Sequence, residues 1–84
     1  MYRVYILQSL KNNRYYIGST HDLEQRMRYH NAGRVLSTRA YLPWKLIYSE
    51  DFLTKEEAFS RELQIKSWKK RTAIEKLINK GAIV

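Results

Sequence analysis

With 84 residues, 44% of them hydrophobic, and no cysteine, the chain has room for one small domain and excludes a disulfide scaffold or a thiolate zinc site. Sixteen Lys and Arg against eight Asp and Glu leave a formal charge of +8, which attracts polyanions, nucleic acid first among them. No apolar run approaches a membrane span, and the N-terminus passes straight into a strand pattern, so a cytoplasmic protein without a membrane partner is expected.

Tyr2 to Gln8 reads as a strand from its β-branched and aromatic content, with Val4 and Ile6 on one face and Arg3, Tyr5 and Leu7 on the other. Ser9 to Asn13 is a polar turn region, and Arg14 to Ser19 returns as the second arm of a hairpin. An even loop, Leu10 to Asn13, places Tyr5 opposite Gly18, with Tyr16 its diagonal neighbour on the same face roughly 7–8 Å away. An odd loop would put the two tyrosines on opposite faces.

Asp22 is the expected N-cap of a helix over Leu23 to His30, with Gln25 in capping-box position. Leu23, Met27 and His30 share a stripe that also contains Arg26. Such an arginine either snorkels or points its head across a cleft. His21, in the preceding turn, reads as surface. Asn31 to Pro43 is a long connection of the kind that is often functional. Trp44 to Glu50 forms a third strand, apolar at Trp44, Leu46, Tyr48 and also Ile47.

Thr54 to Glu57 is a capping box opening a helix to about Trp68, whose buried arc is expected to hold Ala58, Phe59, Leu63 and Ile65. Glu62 falls near the middle of that arc and needs a partner: a salt bridge to Lys or Arg, a solvated pair with Lys66, or a metal ion. Thr72 to Glu75 is a third capping box, leading a short helix that buries Ile74, Leu77 and Ile78 and stops at Gly81. Lys66, Lys69, Lys70, Arg71, Lys76 and Lys80 form a basic segment opposed only by Glu75. The expected class is α+β: a small, predominantly antiparallel three-stranded sheet with three flanking helices, in the order β-β-α-β-α-α.

These residues resemble the GIY-YIG nuclease domain, in particular its small single-domain bacterial members. Val4-Tyr5 stands at the first tyrosine motif, with Arg3 in place of its glycine, and Tyr16-Ile17-Gly18 matches the second literally. Leu23, Arg26 and His30 resemble the family's helix, Leu42 to Glu50 its third strand, and Glu62 its metal-binding glutamate. Asn79 is a weak late match to an asparagine that some members carry.

The resemblance covers nearly the whole chain and implies one domain over residues 1–84. It implies a metal-dependent endonuclease with Tyr5, Tyr16, Arg26, His30 and Glu62 as site residues. Glu62 would hold one Mg²⁺ or Mn²⁺, and Arg26 would stabilise charge on the phosphoryl group. Tyr5 or His30 would take the proton of the attacking water. A free phenol titrates near 10, so Tyr5 would need cationic neighbours to act as a base. Arg34, Arg39, Lys45, Lys66, Lys69, Lys70 and Arg71 are the expected contacts to the phosphate backbone, DNA before RNA. The alternative reading is a nucleic-acid-binding module with weak or no catalysis, or an adaptor with a protein partner in a repair or processing complex.

Overall fold

The computed structural model describes residues 1–81. Three strands, β1 (Tyr2–Ser9), β2 (Tyr15–Thr20) and β3 (Trp44–Phe52), alternate with α1 (Leu23–Asn31), α2 (Lys55–Ser67) and α3 (Arg71–Lys80) in the expected order, with a 3₁₀ turn at Arg39–Tyr41. The sheet is antiparallel throughout, in the order β2-β1-β3. The hairpin loop is the even one. Ser9 N donates to Arg14 O at 2.8 Å, Asn13 takes the left-handed conformation at φ 63°, and Tyr5 pairs with Gly18.

Alternation along β1 divides the interior in two. Val4 and Ile6 join Ile17, Ala58, Ile65 and Ile74 in an aliphatic core beneath α2 and α3. Tyr5 and Leu7 turn the other way, onto Leu23 and Trp44 and against Tyr16 and Met27. The apolar run in the third strand has a register cause. Ile6 pairs with Tyr48 but Leu7 pairs with Leu46, so the strand bulges between them. Both Ile47 and Tyr48 then pack on the aliphatic core, while Trp44 joins the tyrosine side. Trp44 is buried and offers no contact surface.

The first two caps form as the sequence predicts. Asp22 Oδ1 accepts from Gln25 N at 3.0 Å, although the Gln25 amide donates to Tyr29 instead of closing a box, and Thr54 and Glu57 make the reciprocal capping box. The third does not: α3 begins at Arg71 after Lys70, which makes no side-chain cap, and Thr72 lies inside the first turn. Phe59 and Leu63 are also not in the core; they are 53% and 50% exposed. The sheet supplies one narrow contact line for α2, and Ala58, Glu62 and Ile65 take it. None of the described helices is long and apolar enough to cross a membrane.

Candidate active site at the edge of the sheet

Gly18 creates the space that the site occupies. A Cβ built there would lie 2.6 Å from the Tyr5 hydroxyl and 3.2 Å from the Tyr16 ring, so only glycine lets the Tyr5 phenol lie across β2. Tyr16 stands beside it with ring centroids 6.3 Å apart and meets His30 edge-on at 5.0 Å. The even register is what puts these rings on one face.

From the Tyr5 hydroxyl a buried hydrogen-bonded chain leads inward. It lies 3.1 Å from His30 Nε2, and His30 Nδ1 lies 2.9 Å from the Thr38 hydroxyl. Thr38 Oγ1 also donates to Val35 O at 3.3 Å. His30 and Thr38 are fully buried, and Tyr5 is 1% exposed. The connection after α1 is held in place to present Thr38. Trp44 Nε1 donates to Thr38 O, Asn31 brackets the Trp44 backbone with both ends of its amide, and Ser9 Oγ donates to Tyr41 O. Thr38 escaped the sequence reading because its partner lies eight residues away across a loop with no periodicity.

Burial sets the protonation states. It pulls the His30 imidazole down to about 4, with Arg26 pulling the same way, so His30 is neutral near pH 7. It pushes the Tyr5 phenol up, helped by Tyr16 and Glu62 and opposed by Arg26. The sequence-based requirement that cations lower this phenol is therefore not met by the protein's own groups; Tyr5 keeps its proton.

Glu62 approaches from the other face of the sheet. Ser19, which pairs with Val4 and so points to the α2 side, donates to Glu62 Oε1 at 2.6 Å. Lys66 Nζ holds Oε2 at 2.6 Å. The Lys66 pair is one of the three expected partners, but the carboxylate is not solvated: Glu62 is 9% exposed. The Ser19 bond has no signal in the sequence. Tyr5 and Glu62 thus flank the β2 edge from opposite faces of the sheet. Of the expected site residues Tyr5, Tyr16, Arg26, His30 and Glu62, only Arg26 lines the groove there.

Along that edge runs a groove of about 270 Å³ lined by Ser19, His21, Arg26, Tyr29, Lys55 and Ala58, among others. Arg26 joins none of the ion pairs among the described residues, which leaves its guanidinium for a ligand. His21 is exposed, as read, yet it lines this groove, and Lys55 is a groove cation that the sequence reading passed over. Arg34 and Arg39 lie on the loop after α1, Lys45 on β3, and Lys69, Lys70 and Arg71 at the turn into α3; none of them lines it. Arg71 instead stacks over Tyr15 at 4.2 Å and pairs with Glu75. Asn79 is exposed near the end of α3 and lines a different pocket, with Tyr15 and Glu75.

Among the described residues no three His, Cys, Asp or Glu side chains gather into a metal cage. A single carboxylate fits a hard ion that keeps its waters and accepts phosphate oxygens, so Glu62 is compatible with one Mg²⁺ or Mn²⁺.

A hairpin with glycine beneath a buried phenol, followed by a helix carrying arginine and histidine, is the arrangement of a known nuclease class. The family profile described as the GIY-YIG catalytic domain matches residues 1–77, and the chain belongs to that family. Membership implies a nuclease-type activity on nucleic acid, in a family that generally uses divalent metals. The chain is 42% identical over 79 residues to a UPF0213 protein of Streptococcus pneumoniae serotype 4, covering 93% of this chain and 78% of that one. It is 37% identical over 79 residues to UPF0213 protein SSP2268 of Staphylococcus saprophyticus, covering 93% and 94%. A solution NMR structure of UPF0213 protein BH0048 from Bacillus halodurans is similar at a TM-score of 0.59 and 32% identity, over 98% of this chain and 88% of that one.

Proposed function

We propose that this chain, acting as a single GIY-YIG unit, is a metal-dependent endonuclease that hydrolyses phosphodiester bonds in DNA. The observation that carries this reading is the buried, hydrogen-bonded Tyr5–His30–Thr38 chain beside Arg26. We assign the imidazole proton to Nδ1, donated to the Thr38 hydroxyl at 2.9 Å, with the hydroxyl's own hydrogen turned toward Val35 O. Nε2 is then a lone pair facing the Tyr5 hydroxyl, which donates to it. As the attacking water gives its proton to the phenol oxygen, the phenol proton passes to Nε2. His30 ends as the proton acceptor, and Tyr5 is the group that relays to it.

Tyr5 is closed to solvent in the free domain, so binding of the strand has to uncover its hydroxyl, and the half-buried Tyr16 is the ring beside it. Arg26 places a permanent, planar charge where the phosphoryl group becomes more negative. Glu62 would hold Mg²⁺ or Mn²⁺, and the bound ion supplies charge neutralisation at the leaving oxygen.

The test is cleavage of plasmid, single-stranded and branched DNA with Mg²⁺ or Mn²⁺. Arg26→Ala and Glu62→Ala are expected to lower the rate by about 10²–10³ while circular dichroism remains unchanged. A second reading, a binding module without catalysis, draws on Lys66 already neutralising Glu62. It predicts salt-dependent binding that Glu62→Ala leaves intact, with no cleavage.

A further inference from the structure

Phe59 and Leu63 form an exposed apolar pair one helical turn apart on α2, and their placement is specific. At about 100° per residue, they lie on one flank of the helix together with Lys55 and Lys66, while Arg61 and Trp68 lie on the other. The second flank faces β3: Arg61 grips both oxygens of Glu50 at 2.8 and 3.0 Å and lies over Trp68. The Phe59 flank therefore faces the β2 edge, where Lys66 holds Glu62 and Lys55 and Ala58 line the groove beside Arg26.

An aromatic and an aliphatic side chain left in water beside the groove that holds Arg26, with lysines on the site side, form a surface suited to a nucleobase. Every base has an apolar π-face, and stacking on a phenyl ring does not depend on its identity. We propose that Phe59 and Leu63 are a shelf for an unpaired base next to the bond that is cut, with Lys55 and Lys66 taking the adjoining phosphates. Glu56 borders the shelf on its outer side and turns the strand toward the lysines. Inside an intact duplex both faces of each base are already stacked, so the preferred substrate is single-stranded or forked nucleic acid. This inference rests on the nucleic-acid reading above and adds the substrate class.

The experiment is binding in EDTA, where no cleavage occurs, to a fluorescently labelled single strand, a blunt duplex of the same sequence and a fork, all at one salt concentration. Phe59→Ser should weaken the single strand and the fork on the order of tenfold or more and leave the duplex unchanged. Phe59→Tyr should bind like the parent. Both positions are solvent-exposed, and circular dichroism checks that the fold is kept. Equal losses on all three ligands, or no loss on any, overturn the shelf. So does a parent protein that is dimeric by light scattering and becomes monomeric in Phe59→Ser, which would make the pair a self-association face. Single-strand binding that needs Phe59, in a protein that never cleaves, keeps the shelf and ends the nuclease reading. Cleavage that needs Arg26 and Glu62 without any single-strand preference does the reverse.

Discussion

The two faces of the sheet are built from the same three strands and do opposite things. Under α2 and α3, Val4, Ile6, Ile17, Ala58, Ile65 and Ile74 make a core with no polar atom in its side chains. Under α1, the buried set includes a phenol, an imidazole and a threonine hydroxyl, each hydrogen-bonded to the next. The aliphatic face gains its free energy from area removed from water and tolerates many shapes. The hydrogen-bonded face gains little net energy per bond but is strongly destabilised when one partner is lost, so it fixes geometry. Aliphatic packing thus lies on one side of β1 and the Tyr5–His30–Thr38 chain on the other, with Glu62 on the aliphatic side.

The comparison breaks most visibly on the aliphatic face. Ile65→Ala should cost about 2–5 kcal/mol, lowering the melting temperature by roughly 10–30 °C in thermal unfolding. The His30 ring resonances, measured by NMR at low temperature, should remain those of the parent. A variant that shifts them would show that the faces are not independent.

The tyrosine face has its own signature in pH. The His30 imidazole sits at about 4 in the folded protein against 6.5 when unfolded, so the unfolded chain binds the extra proton first. The stability associated with neutral His30 is complete above about 6.5 and is lost as the pH falls toward 4. The loss amounts to at most about 3 kcal/mol. Denaturant unfolding across that window should show this slope in the parent and lack it in His30→Gln.

The smallest expected effect sharpens the comparison most. Thr38→Val keeps the shape but strands His30 Nδ1–H, costing about 1–3 kcal/mol, while Val35 O keeps its two backbone N–H donors. Nitrogen chemical shifts of His30 should then show the loss of the single Nδ1–H tautomer, and Thr38→Ser should restore it. A purely structural threonine would shift stability without changing the tautomer.

Much of this was legible in the residues. The parity of a four-residue loop places Tyr5 over Gly18, and Asp22 and Thr54 announce their helices, because these are local matters of turn length and capping. Phe59 and Leu63 were misplaced because a helical wheel gives directions around an axis but not the width of the surface it meets. The start of α3 was misread because a capping pattern states what an end can use, not that it is used.

What the chain determines alone is the order of elements, which depends on neighbours a few residues apart; for the hairpin it leaves two registers, one for an even and one for an odd loop. Tertiary structure decided which nitrogen of His30 faces Tyr5, that burial rather than charge sets both groups, and that Glu62 meets Ser19 and Lys66 at the sheet edge. Those outcomes depend on desolvation and on contacts between distant segments, and neither quantity exists until the chain has closed around them.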